Sequence, residues 1–181
     1  MHFSHYSDEP VELAVDLVNT DEMNGDEIGT LAELEDFLAR YESLQSADVK
    51  APTEADLREL HVLRDRLREV FNAPDEATAV AHLNAILEKN DATPRLSVHS
   101  GSPHLHFEPV CSSVASWVGA ITAMGLAGIV VDHGVSRFGS CRANNCRDVF
   151  VDTTRNRSRI HCCGACSTRA AVAAYRKRQA E

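Results

Sequence analysis

Three features of this sequence predict an α+β fold. Apolar side chains recur at helical spacing from Leu31 to Tyr41, from Leu57 to Phe71 and from Ala77 to Leu87, and an uncharged run follows from Pro109 to Val131. Between Thr93 and Pro109 apolar and polar residues alternate instead, as they do in a β-hairpin. Five of the six cysteines then fall within the 26 residues from Cys141 to Cys166. The first two features predict a mostly α-helical N-terminal domain with one small β-hairpin, over residues 1–135. The third predicts a C-terminal treble-clef zinc finger over residues 136–181.

Val11 to Val18 is too short for its period to separate strand from helix. Asp21 to Gly29 is acidic and glycine-containing and reads as a loop. Thr30-x-x-Glu33 makes a capping box, opening a helix with Leu31, Leu34, Phe37, Leu38 and Tyr41 on one face. Thr53 and Asp56 start the next helix, whose apolar stripe runs through Leu57, Leu60, Leu63 or Arg64, Leu67, Val70 and Phe71. Arg58, Asp65, Arg66, Arg68 and Glu69 then form a solvated face. Pro74 precedes a third helix with Ala77, Val80, Ala81, Leu83, Ala85, Ile86 and Leu87 inward. In the hairpin, Leu96, Val98, Leu105 and Phe107 should face the helices, leaving His99, His104 and His106 on an exposed polar side. Pro109 to Val131 has the length of a bilayer span. It is nevertheless rich in Ser, Gly and Ala and lacks flanking Lys/Arg anchors, so it reads as a buried core helix containing Trp117, Ile121, Met124, Ile129 and Val130, with Cys111 a small buried residue.

The cysteine pattern is Cys141-Arg-Ala-Asn-Asn-Cys146, fifteen residues, then Cys162-Cys-Gly-Ala-Cys166. A thiolate pair in a turn-rich segment followed by a second pair at the start of a helix supplies four soft ligands to one tetrahedral zinc ion. Cys141 and Cys146 make the first pair. Cys162 with Cys166, one helical turn apart, is the favoured second pair; Cys163 with Cys166 forms the more familiar CxxC, and His161 is a further donor. Four thiolates leave no open position, so the metal is expected to be structural.

Charge divides the chain in the same place. Ten of the 18 Lys/Arg but only three of the 27 Asp/Glu lie between Arg137 and Glu181, so this segment is net positive by seven and the remainder net negative by sixteen. Arg155, Arg157 and Arg159 alternate, and in an extended segment they would project from one side. Arg169 and Arg176 share a face of the last helix with Lys177 and Arg178 beside them, while Val172 and Tyr175 should pack that helix on the hairpin. A guanidinium row beside a helix suits phosphate backbones and guanine edges.

The run CRANNCRDVFVDTTRNRSRIHCCGACSTRAAVAAYRKR resembles the CGNR zinc finger of a family of bacterial stress-induced transcription regulators. VELAVDLVNTDE followed by LAELEDFLARYESL resembles the start of that family's ABATE domain. Where the finger's motif reads Cys-Gly-Asn-Arg, this chain has Cys166-Ser-Thr-Arg169, keeping the cysteine and the arginine. The resemblance makes Val11 to Val18 a buried helix ending near Asn19-Thr20. It also implies a DNA-binding regulator that is not an enzyme, with an N-terminal domain that senses a small ligand or forms a homodimer. The MHFSHYSDEP start is not a signal peptide, and grouped thiols suit a reducing compartment, so a cytoplasmic protein with no membrane role is expected. Two other readings compete. The extra Cys163 suits a redox- or metal-responsive zinc-thiolate or protein-interaction module. His106-Phe-Glu108 with Cys163-Gly-Ala-Cys166 is a poor match to a zinc-deaminase signature, since no proline precedes Cys163 and Cys141 and Cys146 are left over.

Overall fold

The structure is a computed structural model, and it describes residues 8–22, 25–41, 44, 49–97, 104–109 and 113–180. Val98, His99 and Cys111 lie outside the described residues. Six helices and three two-stranded ladders follow in the order α1 (Asp8–Asn19), β1 (Asp21–Glu22), β2 (Gly25–Asp26), α2 (Leu31–Ala39), α3 (Glu54–Phe71), α4 (Glu76–Lys89), β3 (Ala92–Ser97), β4 (His104–Pro109), α5 (Val114–His133), β5 (Phe138–Ser140), β6 (Val149–Val151) and α6 (Gly164–Ala180). The mostly helical architecture with a small antiparallel hairpin is therefore as expected.

α5 is the centre of the body, and α1, α3, α4 and β4 pack on it. It is the one described helix long and apolar enough to cross a membrane, yet Trp117, Val118, Ala123, Leu126 and Ile129 are all buried by its neighbours. Helix boundaries are fixed by caps. Thr30 accepts from the Glu33 N–H at 3.3 Å to start α2, and Thr53 and Asp56 form a reciprocal capping box at the start of α3. Asp56 does more, because its other oxygen accepts the Ala115 N–H at 3.1 Å in the first turn of α5. One carboxylate thus caps two helices and fixes their separation. Close approach of α1 and α5 depends on Gly125, where a Cβ would come within 2.9 Å of the Pro10 side chain.

Three sequence expectations need correction here. The 21–29 loop contains the short β1–β2 ladder, with Asp21 opposite Asp26. In α4 the buried residues are Ala79, Leu83 and Ile86, while Ala77, Val80, Ala81 and Ala85 are exposed. Small residues spread all round that helix give too weak a pattern to orient it. Arg68 leaves the solvated face of α3 and reaches two backbone carbonyls, Val18 O and Arg147 O, each at 2.7 Å. Leu63 and Arg64 are both buried; the Arg64 guanidinium donates to Thr20 Oγ1 at 3.1 Å and to Asp26 Oδ1 at 2.8 Å. In the β3–β4 ladder, His104 stands opposite Ser97 and His106 opposite Arg95.

The C-terminal segment is not strung loosely behind the body. Val149 and Val151 of β6 belong to the main hydrophobic core, and Phe138 of β5 packs on Phe71 with ring centroids 5.1 Å apart. Asn19, at the end of α1, holds β6 with a two-way bond: its amide donates to Val149 O at 3.1 Å, and its carbonyl accepts the Val149 N–H at 2.7 Å. Beside it the Arg147 guanidinium pairs with the Asp21 carboxylate. Part of the cationic segment is therefore neutralised against the acidic body.

Candidate metal centre and basic surface

The β5–β6 hairpin carries the first two thiols on its connecting turn. The Cys141 N–H donates to Asp148 O at 2.8 Å, continuing the ladder, and Asn145 adopts a left-handed conformation (φ 58°) that turns the chain back toward Cys146. The chain then returns past the turn, where the Arg142 N–H donates to Ile160 O at 3.0 Å, and this delivers residues 162–166 to the knuckle. Cys166 lies in the first turn of α6 and Cys162 just before it.

The four sulfurs of Cys141, Cys146, Cys162 and Cys166 all lie within 4.8 Å of one another; Cys146 and Cys162 are 3.7 Å apart, Cys162 and Cys166 3.5 Å. Zinc–sulfur bonds of about 2.3 Å in a tetrahedron require sulfurs roughly 3.8 Å apart, so the donor set fits the ion. The fourth position goes to Cys162. Cys163 is exposed and its sulfur stays outside the four, 3.7 Å from that of Cys162. His161 contributes its backbone carbonyl to Arg159 at 3.0 Å. Four thiols this close cannot all ionise alone. Burial, aided by the Asp148 carboxylate, pushes the Cys162 thiol up, and burial above all raises Cys146 to about 12. Burial opposes the charge on Cys141 too, but the backbone N–H groups of Cys162 and Ala143 outweigh it and bring that thiol down. A divalent ion stabilises all four thiolates and displaces their protons.

Two of the nominated arginines support the metal centre. Arg169 donates to the Cys166 sulfur at 2.9 Å, which offsets thiolate charge and orients the ligand. Arg159 turns inward, its guanidinium 4.8 Å above the Phe150 ring, and donates to the carbonyls of His161 and Cys162. The expected extended row is absent, because 154–157 is a tight turn with Arg157 at φ 51°, its side chain on Ser136 Oγ at 2.6 Å. Asp152 builds that turn. Its carboxylate accepts from the Thr154 N–H at 2.8 Å, the Thr154 hydroxyl at 2.6 Å and the Arg159 N–H at 2.8 Å. Burial works against the charge on Asp152, but the Thr154 hydroxyl, these N–H groups and the Arg137 charge together bring its pKa down. The sequence Asp152-Thr-Thr carried that signal, since an aspartate folding the backbone two residues on is a recognised turn former.

α6 makes no extensive contact with any other element. Every side chain from Ala171 to Gln179 is exposed, including Val172 at 44% and Tyr175 at 58%, so those two do not pack the helix on the hairpin as expected. Arg155, Arg176, Lys177 and Arg178 are exposed as well.

Two family models match the chain in succession, one over the helical body and one over the thiol-bearing hairpin and α6. Residues 12–132 match ABATE, described as a putative stress-induced transcription regulator, and residues 137–179 match the CGNR zinc finger. The chain belongs to the ABATE family. No curated protein matches it. This ABATE chain carries a CGNR zinc finger whose four cysteines are positioned to bind one zinc ion. Both matches are to regulatory or zinc-finger domains, and neither is an enzyme family. Within the ABATE chain the finger's β6 strand completes the body's core, so the motif arginine Arg169 and the anchoring Asn19 belong to one continuous scaffold.

Proposed function

We propose that this ABATE protein is a DNA-binding transcription regulator of the bacterial cytoplasm, in which the zinc finger presents α6 to DNA and the body receives a small-molecule signal. The observation that supports it most is α6 itself. Seventeen residues rise from a zinc ligand buried in the first turn, are exposed from Ala171 to Gln179, and carry Arg176, Lys177 and Arg178 near the far end, with Arg155 exposed on the neighbouring turn. A helix of that length spans about 25 Å, enough to lie along a major groove. Arg169 and Arg159 act within the metal centre, so the charges offered to phosphate are Arg155, Arg176, Lys177 and Arg178, with Arg157 beside them. Zinc fixes the direction in which the helix leaves the hairpin, and no catalytic part is assigned to it.

Fluorescence anisotropy of the zinc-loaded chain with labelled duplex DNA tests this reading. Affinity should fall steeply as salt rises from about 50 to 200 mM, and replacing Arg176, Lys177 and Arg178 together by Ala should flatten the slope of log K against log salt by about 2 to 3. Absence of binding at low salt, or a slope unchanged in the triple variant, would rule the reading out.

A further inference from the structure

Five thiols gather at the metal centre, and the donor set uses four of them. Cys141 and Cys166 are buried and Cys146 and Cys162 half-buried, whereas Cys163 is exposed. Its position is fixed by α6: the Ser167 N–H donates to Cys163 O at 3.2 Å, which makes Cys163 the cap residue of that helix. Its sulfur lies 3.7 Å from that of Cys162, and its side chain faces the backbone N–H and the thiol of Cys166. A solvent-facing sulfur thus stands against two ligand sulfurs that solvent reaches less. A reagent arriving from solvent meets Cys163 first.

We propose that Cys163 is an oxidation site for hydrogen peroxide, with Cys166 as the sulfur that resolves it into a disulfide and is thereby withdrawn from the metal. The Cys163 thiol attacks one peroxide oxygen, the O–O bond breaks, and the departing hydroxide takes the thiol proton and leaves as water, giving a sulfenic acid on Cys163. The Cys166 sulfur then attacks the Cys163 sulfur. The S–O bond breaks, the hydroxyl takes a proton from solvent and leaves as a second water, and a Cys163–Cys166 disulfide remains. Each of the two sulfurs has given one electron to the peroxide. Cys166 and not Cys162 is the resolving partner, because adjacent residues have Cα atoms only about 3.8 Å apart, short of the ~4.4–6.8 Å usual in a disulfide, whereas residues three apart at a helix start are about 5 Å apart. Once bonded to Cys163, Cys166 offers neither a thiolate to zinc nor a charge to Arg169, and the buried first turn of α6 loses its hold. This chemistry belongs to the metal centre and stands whether or not α6 engages DNA.

Mild oxidation of the zinc-loaded full chain tests the proposal. Hydrogen peroxide should release the zinc, read with a chromophoric chelator, and a thiol reductant with added zinc should restore the centre. Trypsin cuts after Arg159 and Arg169, so Cys162, Cys163 and Cys166 share one peptide. When the oxidised chain is unfolded and alkylated, mass spectrometry of that peptide should find Cys162 alkylated and the other two joined. Cys163→Ser keeps all four ligands, so it should bind zinc in the same stoichiometry and release it under peroxide at least about tenfold more slowly. Should Cys163→Ser fail to fold, the disulfide map of the unaltered chain decides alone. Zinc leaving Cys163→Ser as fast as it leaves the unaltered chain, zinc retained by the unaltered chain under peroxide, or a disulfide between any pair other than Cys163 and Cys166 would overturn the proposal.

Discussion

At the scale of single residues, the structure depends on a few polar side chains that each join two elements. Asp56 is the clearest. Its burial disfavours the charge, but the Thr53 hydroxyl and the N–H groups of Ala115, Thr53 and Val114 outweigh that cost and lower its pKa. A carboxylate depressed on folding contributes stability that is complete above its unfolded value, near 4, and is lost as pH falls through the lower folded value. Urea unfolding between pH 7 and pH 3 should therefore show an acid limb that is shallower in Asp56→Asn, and that variant should lose about 1–3 kcal/mol at pH 7 because the amide keeps one acceptor oxygen and sets an NH2 donor against the N–H groups at the other helix start. An unchanged acid limb would remove Asp56 from this role. Arg169 acts on the metal in a comparable way, through a single charge-assisted bond to Cys166. Arg169→Ala should lower zinc affinity about 10- to 100-fold in competition with a chelator, with the metal stoichiometry unchanged. An unaltered affinity would make Arg169 a surface residue after all.

At the scale of elements, the helices divide into those packed along their length and α6, which is buried only at its first turn, around Cys166. α1 and α5 touch closely at Gly125, and Gly125→Ala should cost about 1–3 kcal/mol by overpacking against Pro10, read from the urea midpoint. Val172→Ser and Tyr175→Ser, in contrast, should change the stability of the body by no more than about 0.5 kcal/mol, since both side chains are exposed on α6. A larger loss would mean that α6 packs somewhere in solution. The same division explains what could be read in advance. α2 and α3 were legible because a capping box preceded a clean apolar stripe, and the stripe of α3 is buried from Leu57 to Phe71. α4 was misoriented because Ala77, Ala81 and Ala85 resemble a core face in composition and are exposed. Val172 and Tyr175 were assigned to packing on hydrophobicity alone, and nothing in a single helix's sequence states whether a partner is there.

At the scale of the whole molecule, local spacing revealed the cysteine cluster, while the way the finger is joined to the body was hidden. Cys141, Cys146, Cys162 and Cys166 could be nominated because ligand geometry restricts sequence separation within a small module. Asn19 and Arg68 could not be linked to Val149 and Arg147, because those pairs are brought together only by tertiary packing across most of the chain. The expected arginine row failed for a related reason: Asp152 bends the chain, so alternation in sequence did not become alternation in space. What unites the molecule is that one metal centre joins the hairpin that completes the body's core to the helix that leaves it. X-ray absorption at the zinc edge of the purified full-length chain, with metal content measured on the same sample, tests this most directly. One zinc per chain with four sulfurs at about 2.3 Å is the expected result. Nitrogen or oxygen ligands to the metal, or a metal-free chain whose residues 138–180 remain folded, would contradict it.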